Sequence, residues 1–268
     1  MHEGIFSPEQ LEVFAEVFGE KNKLEAIAMP SPEVLTDEYF TRMYPAEQKE
    51  EDTAKGLIAF RPSWWNIAAA DKFISNKRRR SMRKSAELPM SQLYVASMKA
   101  EAEKYQGTVF LTESLPKHNY TSGTEAYGSK EGSNPNLDPL LPLIQEVFGR
   151  TQKNRFSLIW DDVNTIFIPR VKQAIIQKCR NKGLTITPFE VVCTPALVAN
   201  KLMSEHHPEL SSTSTAEWTS TPLLREDGTD SDYRLIVGYA DRGGAAYVSY
   251  YGRGDACDGG FRLSVVSA

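Results

Sequence analysis

The chain closes on YGRGDACDGGFRLSVVSA (residues 251–268). Its last part, Phe261 to Val266, has the β-branched and aromatic content of a strand. On such a strand Phe261 and Leu263 share one face and Arg262 takes the other. The stretch before it, GRGDACDGG (residues 252–260), is a glycine-rich loop. It is no phosphate loop, because it lacks the Lys-Ser/Thr end and a following helix. Arg253-Gly254-Asp255 spells an integrin-type tripeptide, which arises readily by chance. Upstream, Tyr233 to Tyr239 (YRLIVGY) alternates as a strand, Arg242-Gly243-Gly244 reads as a turn, and Ala245 to Tyr251 (AAYVSYY) is a second β-prone run. The end of the chain is thus strand, turn, strand, loop, strand.

Working backward, the pattern turns helical. Thr194-Pro195 reads as a cap with a proline at the first helical position, burying Leu197, Val198 and Leu202. His206-His207-Pro208 ends that helix, and adjacent histidines on a helix diverge. Phe189 to Val192 reads as a strand. Residues 164–182 read as a helix with Phe167, Val171, Ala174 and Ile175 on one face, Pro169 in its first turn and Gly183 placed to stop it. Residues 117–138 are polar and turn-rich, with too little apolar surface to pack as an element. Thr108 to Thr112 is a short β-rich run, and residues 91–105 read as a long helix. Near the start, Ser7 caps a helix, Pro8 takes its first position and Gln10 closes a capping box. Phe6 and Leu11 form a hydrophobic staple there, and Leu11, Phe14, Ala15 and Phe18 line one face. The expected organisation is α+β, with an N-terminal helical region over residues 1–101 and a second domain over residues 102–268.

Composition narrows the function classes. The length of 268 residues is enough for one large domain or two modest ones. A formal net charge of -4 gives no argument for nucleic acid or an anionic membrane surface. No apolar run reaches the roughly 20 residues of a membrane helix. MHEGIFSPEQ shows no signal-peptide pattern. Cys179, Cys193 and Cys257 are far apart, with no zinc-type spacing. Asn76 to Lys84 (NKRRRSMRK) is the strongest basic cluster. It suits a phosphate, an acidic partner or a solvated face, and without aromatic interleaving it points to no nucleic acid. Trp64 and Trp65 read as core or interface aromatics.

Three short segments carry a resemblance: Glu217-Trp218-Thr219-Ser220, Arg242-Gly243-Gly244 and Gly260-Phe261-Arg262-Leu263. Together they resemble the C-type-lectin-like fold, in the branch shared by formylglycine-generating enzymes and the variable proteins of diversity-generating retroelements. A weaker match is the cap-proline-helix of Thr194 to Met203, which lacks that family's acidic and tryptophan positions. The resemblance spans roughly residues 189–266 and implies that Trp218, Arg242, Gly243, Gly244, Gly260, Phe261 and Arg262 are scaffold. Trp218 is expected to be buried, its indole N–H needing a partner. The enzymes of this branch carry two cysteines shortly before the final segment, and here Cys257 stands alone in that region. Calcium-lectin triplets are absent, although Asp241, Asp255 and Asp258 could converge on a cation.

In the variable proteins, adenine-directed copying diversifies a segment that ends near an anchor like GFRL. Asn codons in the template become Tyr, Asp, Ser, Cys, Ala or Gly, among others. Residues 239–258 are dominated by that set and contain no Lys, Glu, Gln, Met or Trp. Val248, a scaffold position, stands between Tyr247 and Ser249, which are expected to be exposed. The resemblance therefore implies a non-catalytic protein that recognises a variable protein or surface molecule, with no cofactor and no metal. Its contact residues are expected to be Tyr239, Asp241, Tyr247, Ser249, Tyr250, Tyr251, Asp255, Cys257 and Asp258. Tyrosine suits the task, being large, rigid and polar at its tip. The expected setting is cytoplasmic synthesis followed by display on a virion or cell surface. The alternatives are an oxidase scaffold of the formylglycine-generating type, an invariant virion or adhesin module, or tyrosines that simply cover a sheet.

Overall fold

The computed structural model describes residues 5–19, 24–36, 90–116, 127–128, 137–213, 215–239, 244–254 and 259–268. The basic cluster at 76–84, the tryptophan pair at 64–65 and most of the polar stretch at 117–138 lie outside the described residues. What is described is a mixed helix-and-sheet protein. No described helix is long and apolar enough to cross a membrane.

Helix α1 (Pro8–Phe18) starts as its sequence dictates, the Ser7 hydroxyl accepting from the Gln10 N–H at 3.2 Å. The rest of that start differs. Gln10 does not reach back to the cap. Its amide bonds both backbone groups of Thr187, at 3.0 Å each, and is fully buried. Phe6 packs edge-on against Phe14 at 5.1 Å, while Leu11 is 38% exposed. The buried face is Gln10, Val13, Phe14, Val17 and Phe18. A distant strand-entry segment outcompeted the local capping box for the glutamine.

Strand β1 (Leu24–Ala28) pairs antiparallel with β2 (Val109–Glu113), which follows helix α2 (Met90–Lys104). Helix α3 (Leu141–Phe148) follows. A longer helical run begins with α4 (Trp160–Asp162), passes through a π-helical turn (Val163–Phe167) and becomes α5 (Ile168–Asn181). Pro169 has no N–H to give the preceding turn, and the widened turn sits just before it. Gly183 ends α5 at φ +69°, its N–H reaching Arg180 O at 2.9 Å while Leu184 N reaches Cys179 O at 3.0 Å. That is a Schellman stop, as the glycine position predicts.

Strands β3 (Phe189–Cys193) and β8 (Leu263–Ser267) complete a four-stranded sheet of order β1-β2-β8-β3, antiparallel throughout. The second sheet has order β6-β5-β4-β7, from β4 (Glu217–Leu224), β5 (Asp230–Tyr239), β6 (Gly244–Gly252) and β7 (Gly260–Phe261). Between β3 and β4 lies helix α6 (Ala196–Lys201), which runs into a second π-helical turn (Leu202–His206). Thr194 does not cap it. Thr194 donates to Arg262 O and bonds Ser264 Oγ, while the Ala196 N–H is accepted by Thr221 Oγ1 at 2.8 Å.

Two buried clusters fill the interior. One joins α1, α3 and α5 to Phe189, Val191, Leu263, Val265, Trp218, Ile236 and Phe261. The other joins α2 and α6 to Ile27, Phe110, Val266, Leu223, Leu235, Val237 and Tyr250. Each cluster takes side chains from both sheets, because alternate strand residues face opposite sides. Residues 8–18, 24–28 and 93–102 pack into the same interior as the C-terminal strands, and β1 places the N-terminal region in a sheet with them.

Helix α2 docks on β4 through two polar side chains one turn apart. Ser97 Oγ accepts from Leu224 N at 2.9 Å. The Glu101 carboxyl accepts from Thr221 Oγ1 at 2.5 Å and from Ser220 Oγ at 3.3 Å. Burial raises the Glu101 pKa from the ordinary carboxyl value to about 7, more than these hydrogen bonds and Lys104 lower it. The folded state thus holds this proton where the unfolded chain has released it. Its contribution is complete at acid pH below the unfolded value and is lost as pH rises toward 7 and beyond. Glu101→Gln should flatten this dependence. Urea unfolding of wild type and variant at pH 5 and pH 8 should show the variant gaining about 3 kcal/mol relative to wild type at the higher pH. An identical slope for the two proteins would place the titration elsewhere.

Candidate ligand-binding site

The site is built on the crossing of the last two strands. β7 pairs parallel with β4, setting Glu217 opposite Gly260 and Trp218 opposite Phe261. One residue later the chain is in the other sheet, as β8. Arg262 is the residue between, and it is fully buried. Its Nη2 and Nε donate to the Glu217 carboxylate at 3.0 and 3.3 Å, and its Nη1 donates to Glu113 O at 2.6 Å. The Arg262 carbonyl accepts from the Thr194 N–H at 2.9 Å.

A second guanidinium lies alongside. Arg155 donates to both Glu113 oxygens at 2.8 and 2.9 Å and to both Asp138 oxygens at 2.7 Å. Glu113 also accepts from the Leu263 N–H at 2.8 Å. Tyr127 covers the pair, its ring 4.7 Å from the Arg155 guanidinium and its hydroxyl donating to Glu217 at 2.7 Å. Burial opposes charge on Arg155, but Asp138 and Glu113 outweigh it and hold the group cationic. Burial, then the Glu217 charge, pushes the Tyr127 phenol well above its usual range, so it stays a donor. Glu113, Asp138, Tyr127 and Arg155 are absent from the sequence reading. Tyr127 sits in a polar stretch that reads as loop, and no local spacing marks the other three.

Glycine is required at 260. A Cβ there would lie 2.8 Å from Tyr127 Cε2 and 3.0 Å from Phe156 Cε1. Trp218, Gly260, Phe261 and Arg262 are all buried. Arg242 and Gly243 lie outside the described residues, and Gly244 opens β6 opposite Tyr239. The Trp218 indole N–H, expected to find a partner, has none among the described residues.

The expected contact residues divide. Tyr239 closes β5. Tyr247, Ser249, Tyr250 and Tyr251 lie on β6, an edge strand of its sheet. The register sets Val248 opposite the core residue Val237, Ser249 opposite Ile236 and Tyr250 opposite Leu235. Tyr250 is 4% exposed and packs against Tyr94 and Tyr233, so it is core and not contact surface. Period-two alternation requires this, since Tyr250 shares its side of the strand with Val248. Tyr251 is half-buried, its ring 6.0 Å from that of Trp218. Asp241, Asp255, Cys257 and Asp258 lie outside the described residues. Among those described, Cys193 is buried in the core, and burial pushes its thiol up to about 12.

A scan against protein-family models, a search of curated proteins and a search of solved structures each returned no match.

Two substitutions test the crossing. Arg155→Leu strands Glu113 and Asp138 as buried charges and should cost about 3–5 kcal/mol. Gly260→Ala should cost about 1–3 kcal/mol by forcing Tyr127 and Phe156 apart. Chemical denaturation with fluorescence detection reads both, and a loss below about 0.5 kcal/mol in either would remove the crossing as a stability determinant.

Proposed function

We propose that the chain is a non-catalytic ligand-binding protein with a C-type-lectin-like fold, whose C-terminal surface is diversified from a diversity-generating retroelement. One observation carries the reading. The segments that resemble the family's constant anchors, Glu217-Trp218 and Gly260-Phe261, are neighbours in one sheet. The segment between Tyr239 and Asp258, with the composition of adenine-directed change, contributes β6, the edge strand of that same sheet, and precedes the Gly260 anchor.

The buried pairing of Glu217 with Arg262 holds this anchor without using a side chain from the excursion. The contact set becomes Tyr239, Asp241, Tyr247, Ser249, Tyr251, Asp255, Cys257 and Asp258, with Tyr250 removed to the core. The ligand is a protein or a surface molecule.

The gene's downstream sequence tests the class. It should hold a near-copy of the codons for residues 239–263, differing almost only at adenines, beside a reverse-transcriptase gene. A constant loop among sibling isolates would reject the diversified surface and favour an invariant virion or adhesin module. Within the protein, the double variant Tyr247→Ala/Tyr251→Ala should abolish binding to a ligand identified by selection. Tyr250→Ala should instead lower stability by about 3 kcal/mol. Undiminished binding by the double variant would reject the assigned surface.

A further inference from the structure

The two arginines at the strand crossing are each held by carboxylates. A third buried arginine, Arg234 on β5, is not. It is 8% exposed, and Nη1 donates only to the backbone carbonyls of Ser231 and Tyr233, at 3.1 and 3.0 Å. Its guanidinium lies 4.5 Å from the Trp160 ring. Its Nε is buried without an acceptor. No carboxylate comes within ion-pair distance of it among the described residues. Asp161 and Asp232 pair instead with Arg253, at 3.6 and 3.2 Å. Buried cations are ordinarily paired, because desolvation without a counter-charge is costly. Burial, and then the neighbouring Arg253, pull the Arg234 pKa down, against the smaller opposing pull of Asp230, Asp161 and Asp232.

Its position gives this a use. Arg234 is the cross-strand partner of Tyr251 on β6. Arg253 stands at the same rim with its side chain 37% exposed. The Trp218 indole beside the Tyr251 ring is another buried donor without an acceptor. Buried donors without acceptors and a guanidinium over the Trp160 ring call for a planar acceptor of single negative charge. A guanidinium fork matches a carboxylate in two parallel hydrogen bonds. A phosphate dianion suits the place less well, because Asp161, Asp230 and Asp232 repel two charges more strongly than one.

We propose that Arg234, with Arg253 at its rim, receives a carboxylate from an acidic segment of a protein ligand that docks over Tyr251. The proposal rests on the ligand-binding reading above and names the chemistry of that ligand. Diversified positions would supply shape, and a constant arginine on the neighbouring strand would supply a fixed electrostatic anchor.

The test is a titration of the full chain, labelled with nitrogen-15, at fixed ionic strength. Hexaglutamate peptide is the probe, hexaglutamine the uncharged control and inorganic phosphate the competing anion. The Arg234 Nε–H and Trp160 indole resonances should shift saturably with hexaglutamate and stay still with hexaglutamine. Arg234→Gln should remove the Trp160 shift, and Arg234→Lys should weaken the apparent affinity about tenfold, having lost the fork. No saturable shift in the wild-type chain, or a Trp160 shift that survives in Arg234→Gln, overturns the proposal. An equal response to phosphate overturns the carboxylate assignment. A flat titration leaves binding through β6 standing, whereas a constant loop in sibling genes rejects the diversified surface whatever the titration shows.

Discussion

The structure depends on five buried charges at one point. Glu113, Asp138 and Glu217 face Arg155 and Arg262 where the C-terminal strand passes from one sheet to the other. In a low-dielectric interior such groups tolerate few arrangements, since each unpaired member costs several kcal/mol. Their value lies in what they exclude as much as in net stability. A one-residue slip of β7 against β4 would carry Arg262 away from Glu217 and leave both charges in the core. The network therefore fixes the register of the strands it joins, including two that run parallel for only two residue pairs.

This constraint separates the parts of the protein that must be constant from those free to change. The anchors sit below the sheet surface and are satisfied by residues outside the excursion between residues 239 and 258. Along β6 the two sides alternate. Val248 and Tyr250 oppose Val237 and Leu235 of the second cluster, whereas Ser249 and Tyr251 oppose Ile236 and Arg234, and Tyr251 packs against the first cluster. Under the proposed reading, Arg234 on the neighbouring strand is a fixed cation beside positions that vary.

Much of the local structure was legible. Ser7, Pro8 and Gly183 mark helix ends by backbone chemistry that acts within a few residues, and the structure places those ends there. Alternation marked β5 and β6, and the helical period marked α2 and α5. Alternation also held information that went unread: once Val248 is assigned to the core, Tyr250 follows it. Gln10 and Thr194 were given local roles, and each was overridden by a partner from far along the chain, while Leu11 lost its place to a residue one turn further along its own helix. Gln10 binds Thr187, Thr194 binds the Arg262 carbonyl, and Phe14 replaces Leu11 against Phe6.

By itself the sequence determined the element types, the ends of the helices and the side of each strand able to carry apolar residues. These follow from φ/ψ preference, capping and side-chain period, all short-range. The tertiary structure alone decided that Tyr127, out of a polar stretch, would roof two arginines, and that the N-terminal strand would complete a sheet with the C-terminal one. It also decided that Arg234 would be buried with no ion-paired carboxylate among the described residues. A buried charge is tolerated or not according to the groups that surround it in space. Those groups come here from segments as much as 149 residues apart, a separation that no local pattern encodes.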